Sequence, residues 1–264
     1  MVGAVLFVVV AFVAIFAALL TDADPNRMAV RFRFRPPSGD FLFGTDNLGR
    51  SILARIFYGA QLSLGIGLAV VIMNAVFGVA LGAASGYFKR LDNMLMRVTD
   101  ALMAFPPVLL AMGIAAALGP SSMTAAIALA AVYIPRTARI VRASVLVVRE
   151  MEFVQAALAM GASNWRILRK HVLPNCMAPL IVQLTFVFAF AVVTEATLSF
   201  LGLGSPPPTP TWGNMIADGR NFIREAPWIT LMPGIAISIT VLGLNLLGDG
   251  LRDVLDPRMK VASS

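Results

Sequence analysis

Residues 56–88 read IFYGAQLSLGIGLAVVIMNAVFGVALGAASGYF, with no charged side chain anywhere in the run. A helix rises about 1.5 Å per residue, so about 20 such residues cross the hydrocarbon core of a bilayer. This run is long enough to do so with residues to spare. It has company: residues 1–21, 101–135 and 226–248 are also free of charge, and 171–194 holds only His171. The chain as a whole is 58% hydrophobic and 13% charged, against about 25% charged in an ordinary soluble domain. Lipid offers nothing to an unpaired backbone group, so the spanning form must be helix or closed barrel. The ten-residue alternation of a membrane barrel is absent, which leaves an all-α integral membrane protein.

The run 101–135 would be about 52 Å long as one helix, too long for one crossing. Gly119-Pro120-Ser121-Ser122 divides it with turn chemistry. Six spans result, at about 2–20, 61–87, 100–118, 122–141, 176–201 and 229–248. Residues 1–21 lack the basic start of a signal peptide and stay apolar to Leu20, so they read as a retained first span. The second and fourth loops and the C-terminal tail hold 13 of the 21 lysines and arginines, and the other loops hold eight. The positive-inside rule then places both termini in the cytoplasm. One feature resists that rule: the first, outer loop carries Arg27, Arg31, Arg33, Arg35, Arg50 and Arg55, only partly offset by aspartates. The net charge of +7 is a matter of topology and headgroups, not nucleic acid, because the basic residues sit in short loops between spans.

Inside the first loop, Gly44-Thr45-Asp46-Asn47-Leu48-Gly49-Arg50 has turn chemistry and could cap a helix starting near Asn47. Leu48, Ile52, Ile56 and Phe57 would then share one face, as in an interfacial helix leading into the second span. Gly78, Gly82 and Gly86 recur every four residues, a ridge suited to close packing either within the subunit or between subunits. In the fifth loop, Pro206, Pro207, Pro208 and Pro210 forbid helix, and Trp212 and Trp228 near its ends fit an aromatic belt.

Catalytic motifs are missing. The sequence has no HExxH and no GxSxG, and His171 is its only histidine, too few ligands for a zinc site or a triad. Cys176 stands alone, which excludes an internal disulfide framework. There is no GxxxxGK[ST], so the chain cannot cradle a nucleotide in the P-loop manner. Glu195 is the anomaly among the spans, since an ionisable side chain at membrane depth either faces a polar pathway or pairs with an arginine at the interface.

Between the fourth and fifth spans lies a stretch of another kind, QAALAMGASNWRILRKHVLP at 155–174. Residues 145–159 follow a helical pattern with Val148, Phe153, Ala156, Ala157 and Met160 available to one broad face. Gly161 suits a helix end, Ser163 or Asn164 can cap a second short helix bearing Trp165, and Pro174 closes it. Such an amphipathic helix–turn–helix on the cytoplasmic side is either a membrane-surface element or a docking knob.

Gln155-Ala156-Ala157, Gly161 after three intervening residues and Leu173-Pro174 resemble the EAA loop of ATP-binding-cassette (ABC) importer permeases, whose pattern is E-A-A-x₃-G-x₉-I-x-L-P. Two departures stand out: Gln155 replaces the usual Glu, and His171 occupies a position where an apolar residue is common. The likeness extends along the chain. Phe43-Gly44-Thr45-Asp46, Leu48-Gly49-Arg50, Tyr58-Gly59, Leu198 to Gly204, Trp212-Gly213, Asn245 to Asp253 and Leu255-Asp256-Pro257-Arg258 are similar to the dipeptide/oligopeptide/nickel importer permeases of the C-subunit type. Ser51 stands where that pattern often has Asp.

The resemblance implies a type I ABC importer permease fold in a bacterial cytoplasmic (inner) membrane, with residues 1–60 as first span and outer loop and 61–264 as a five-span core. It implies a homologous B-type permease partner, two ATPase subunits that bind ATP-Mg on the cytoplasmic side, and an extracytoplasmic binding protein delivering peptides. The chain itself would hold no cofactor. A coupling loop at about 143–175 would engage the ATPases through Gln155, Ala156, Ala157, Gly161, Ala162, Ser163, Trp165 and Leu168. The nearest rival of the same class is the same machinery carrying nickel chelates or glutathione. A rival of another class is a stand-alone secondary transporter or channel with Glu195 on its path.

Overall fold

A computed structural model describes residues 1–255. The elements are α1 (Val2–Ile15, continued by Ala17–Leu20), α2 (Ile52–Tyr87), α3 (Lys89–Met103), α4 (Pro107–Leu118), α5 (Ser122–Val148), α6 (Glu152–Ala159), α7 (Asn164–Ile167), α8 (Met177–Phe200), α9 (Trp212–Gly219) and α10 (Trp228–Leu255). Among the described residues there is no strand, only an isolated antiparallel bridge between Thr45 and Ser51. By length and composition α2, α5, α8 and α10 can each cross a membrane. Helices α3 and α4 together make a fifth apolar segment, and α1 is a shorter apolar helix. The protein is thus an all-α membrane protein with six apolar helical segments.

Helix α5 is the axis of the bundle. Its alanines 125, 126, 128 and 130 are buried, and they let α2, α4 and α8 close around Leu129, Val132 and Tyr133. The glycine ridge of α2 lies against the same helix. A Cβ on Gly78 would sit 2.7 Å from Thr137, one on Gly82 2.5 Å from the Ala138 carbonyl, and one on Gly86 2.8 Å from Val145. Of the two readings open for the ridge, packing within the subunit is the one observed.

Midway along α2 the helix widens into a π turn at Asn74–Gly78. Asn74 has no exposed surface; its amide donates to the Val70 carbonyl and its oxygen accepts from Thr137 Oγ1 at 3.0 Å. Such a buried polar side chain must find partners inside, and here it finds them by loosening its own helix and tying it to α5.

Three expectations are corrected. The third span is not one helix over 100–118: α3 and α4 meet at a 92° bend across Ala104–Pro106. Pro106 and Pro107 explain it, since a residue before proline avoids the helical region and proline fits only a first turn. Helix α4 alone is about 18 Å long. The start of α2 is Ile52 rather than Asn47, with Ser51 Oγ accepting from Ala54 N–H at 3.4 Å, and no separate interfacial helix precedes it. Upstream, the Asp46 carboxylate accepts from Leu48 N–H and Arg50 N–H, each at 2.9 Å, and folds 46–50 into a turn. Finally, Trp212 is a buried anchor and no part of an aromatic belt: it is 1% exposed and its indole donates to the Ile56 carbonyl at 3.1 Å. The predicted break at Gly119 is present, with φ of +87° there and Ser121 capping α5. The Asp256-Pro257-Arg258 part of the C-terminal motif lies outside the described residues.

Candidate functional site

The chain leaves α5 after Val148, turns over Arg149–Met151 and forms α6. That turn resets the helical phase. Val154 and Ala157 face the core, while Phe153, Ala156 and Met160, expected to share one broad face with Ala157, point outward. Helix α6 ends at Gly161, whose φ of +81° lets Gly161 N–H reach the Leu158 carbonyl and Ala162 N–H the Ala157 carbonyl. These two bonds are the Schellman termination that only a glycine makes without strain. Ser163 then occupies the N-cap of α7 without a side-chain cap bond; the neighbouring Asn164 instead accepts from Tyr87 Oη at 3.1 Å.

Ala157, Ile167, Leu168, Val172 and Leu180 join Val141, Val145 and Val148 in one buried cluster. The loop is therefore mounted on the ends of α2, α5 and α8 rather than hung between them. Polar ties reinforce the mounting: Arg149 Nη1 donates to the Gly86 carbonyl at 2.9 Å, and Gln155 Nε2 donates to the Arg149 carbonyl at 3.0 Å. Beside them opens a cleft of about 580 Å³, lined by Tyr87, Arg149, Val154, Gln155, Leu158 and Asn164 among others.

The sequence-predicted residues divide into two sets. Gln155, Ala156, Gly161, Ser163 and Trp165 are exposed and Ala162 is half-buried, whereas Ala157 and Leu168 face inward and hold the loop in place. Met160 is 83% exposed and Trp165 68%, with Leu158 at 50% beside the cleft. Large apolar side chains this open, on a rigid mount, suit either a protein contact or a membrane surface. Leu158 and Met160 were not expected there, and only the phase reset at Arg149–Met151 could have revealed them.

Glu195 lies elsewhere, about 27 Å along α8 from its start. It is fully enclosed, accepting from Ser63 Oγ of α2 at 3.0 Å and from Ser199 Oγ at 2.6 Å. Nearby, the hydroxyls of Tyr133 and Thr194 lie 2.8 Å apart. The arginine partner expected for it is not found among the described residues; Glu195 instead ties α2 to α8 through the two serines.

A second assembly, not anticipated from sequence, closes the opposite end. Asp46 and Arg50 pair at 2.6 Å with almost no exposed surface, and Arg50 and Arg55 both reach Asp218 of α9, at 3.2 and 3.7 Å. The Trp228 indole donates to the Thr45 carbonyl at 3.0 Å. Glycine is required at Gly44, where φ is +76° and a Cβ would lie 2.7 Å from both the Arg35 carbonyl and the Trp228 ring nitrogen.

This arrangement has known relatives. The family model described as "Binding-protein-dependent transport system inner membrane component" matches residues 74–261. The chain belongs to that family. It is 56% identical over 260 residues to a putative peptide transport system permease protein of Brucella suis, covering 98% of this chain and 88% of the relative. It is 47% identical to a dipeptide transport system permease protein of Alkalihalophilus pseudofirmus, covering 98% and 86%. In fold it is similar to an inward-facing MetNI methionine ABC transporter, with a TM-score of 0.62 and 18% identity over 75% of this chain and 94% of that one. Members of the family are permease subunits of ABC importers, so the chain is a transport component and not an enzyme. As such a permease it works in a membrane alongside a partner permease, an ATPase and a binding protein.

Proposed function

We propose that this chain is the C-type permease of a bacterial inner-membrane importer for short peptides. Both termini face the cytoplasm, a homologous B-type permease completes the path, and two ATPases bind ATP-Mg beneath it. The observation that carries this reading is the rigidly mounted loop over α6 and α7, which presents Leu158, Met160 and Trp165 outward from a chain with no nucleotide loop of its own. The peptide cargo rests on the names of the two relatives, which are called peptide and dipeptide permeases.

In this mechanism ATP binding draws the ATPases together, each carrying one permease's loop with it. Coupling requires that the loop make different contacts in the two states and transmit the difference without bending. Ala157, Ile167 and Leu168 supply the stiffness by locking the loop to α5 and α8. Gln155, Ala156, Gly161, Ala162, Ser163 and Trp165 supply the contact face, where small residues allow close approach and Trp165 can fill a pocket. Hydrolysis then resets the pair.

Gly161→Arg tests the assignment. Among the described residues a Cβ there meets nothing within 4 Å, so insertion and folding should survive apart from about 1–2 kcal/mol of left-handed backbone strain. ATP-coupled peptide uptake by the reconstituted complex should fall more than about tenfold, the loss of one close-packed contact. Unchanged uptake would refute the coupling role. A stand-alone carrier built on Glu195 would need that carboxyl open to a path, and it is enclosed.

A further inference from the structure

Under the proposed orientation the first loop places six arginines on the side of the membrane where topology disfavours them. The structure accounts for two. Arg50 and Arg55 are buried and bound to Asp46 and Asp218. Arg27, Arg31, Arg33 and Arg35 are exposed, and among the described residues they form no ion pair.

Three of these four are held in a fixed array. In Arg31-Phe32-Arg33-Phe34-Arg35 the rings turn inward, Phe32 against Phe41 with centroids 5.6 Å apart and Phe34 against Phe222 at 5.0 Å. The arginines stay outside, with the Arg31 guanidinium 4.4 Å above the Phe32 ring, Arg33 5.7 Å from Phe34 and Arg35 5.8 Å from Phe32. Backbone bonds pin the segment to the buried turn: Phe34 N–H donates to the Asp46 carbonyl at 3.1 Å, and Thr45 N–H to the Arg35 carbonyl at 3.0 Å. Next to the array lies a cleft of about 760 Å³ whose wall includes Met28, Val30, Arg31 and Phe41. Met28, Val30 and Leu42 are each more than half exposed. Asp22, Asp24 and Arg27 share the cleft with Arg31, and Asp40 is exposed beside Phe41, so the surface carries four exposed arginines against three aspartates.

We propose that this face is the docking platform for the extracytoplasmic binding protein, which meets it with an acidic, partly apolar surface. The inference rests on the permease reading above. Arginine with methionine and exposed aliphatics is the composition of a protein interface, and pre-ordered side chains lower the entropy cost of docking. Lipid headgroups would not require that rigidity. A fixed row of charge also steers a diffusing acidic partner and orients it on arrival.

The test uses the complete importer in nanodiscs, with its binding protein titrated and stimulated ATP hydrolysis as the readout. The variants are R31E/R33E/R35E and, as a charge-preserving control, R31K/R33K/R35K. The reversal should raise the half-saturating binding-protein concentration about tenfold or more near 50 mM salt, and the gap should narrow near 500 mM, where exposed charges are screened. The lysine variant should stay within about threefold of the parent, since charge is kept and only the guanidinium geometry is lost. Repeating the titration with and without phosphatidylglycerol separates the sources: a defect that follows the anionic lipid and not the binding protein overturns the proposal in favour of headgroup contact. Unchanged half-saturation in a parent that is stimulated overturns the docking platform alone. A parent complex that no binding protein stimulates overturns the permease reading, and this inference with it.

Discussion

Under the proposed orientation, the outer and inner ends of the molecule solve opposite problems. At the outer end, Asp46, Arg50 and Arg55 are charged yet nearly without exposed surface, each spending its hydrogen bonds on this chain. At the inner end, Met160 and Trp165 are apolar yet stand largely in the open. Burying a charge is costly unless it is paired, and exposing large apolar groups is costly unless something covers them. The outer assembly thus completes itself and braces α2 against α9. The inner loop is left half-built, with its mount finished and its face waiting. On the proposed reading, that contrast separates residues that make the fold from residues that make the function.

The contrast breaks most violently at Asp46. Asp46→Ala leaves Arg50 and Arg55 buried beside only the half-exposed Asp218 and removes the acceptor that folds the 46–50 turn. Removing one partner of a buried pair costs about 3–5 kcal/mol. The apparent melting temperature of the purified complex should fall by about 10 °C, with uptake lost in proportion to folded protein. A variant as stable as the parent would show that the outer cluster braces nothing.

Two glycines with the same backbone geometry sharpen the comparison. Gly44 and Gly161 have φ of +76° and +81°, but a Cβ on the first strikes Arg35 and Trp228 while one on the second meets nothing within 4 Å. Gly161→Ala should cost only the left-handed strain of about 1–2 kcal/mol. Gly44→Ala adds overpacking of about 1–3 kcal/mol to the same strain. Thermal unfolding should rank them in that order, and equal losses would deny that the outer end is the tighter of the two.

How much of this was legible in the sequence follows the range of the interaction. The spans were readable because charge-free length is a local property, and the break at Gly119 is a local turn. The 92° bend was missed although Pro106 and Pro107 announce it, because apolarity continued through the pair. Asp218 lies 168 positions from Arg50 and nothing local connects them, so the outer cluster was invisible. The loop at 155–174 stood out by its motif and charge, but its faces did not. A three-residue turn at Arg149–Met151 shifted the phase, splitting the one broad face so that Ala157 turned inward with Val154 and Met160 turned outward.

Glu195 sits between the two ends and tests whether enclosure means structure. Glu195→Gln keeps the shape and can still bond Ser63 and Ser199, because a hydroxyl can accept as well as donate. Uptake should stay within about twofold of the parent, and stability within about 1 kcal/mol, the net worth of one hydrogen bond. A changed ion or proton dependence of uptake would instead put this carboxyl on the path.

The smallest effect is expected at Gln155, where the resembling family usually carries Glu. The present side chain is exposed and donates one bond to the Arg149 carbonyl. Gln155→Glu replaces that donor by an acceptor facing an acceptor, so the new carboxylate should swing away into water. At an exposed site this costs within about 0.5 kcal/mol. Gln155→Ala loses the same bond without adding charge, so the pair isolates what position 155 contributes. Near-equal ATPase stimulation by the two variants, each within about threefold of the parent, would mean the partner reads only the fixed angle of α6; an exposed ion pair adds little in any case. A tenfold divergence between them would mean the ATPase reads charge at this position, and the open inner face would then carry an electrostatic contact alongside Met160 and Trp165.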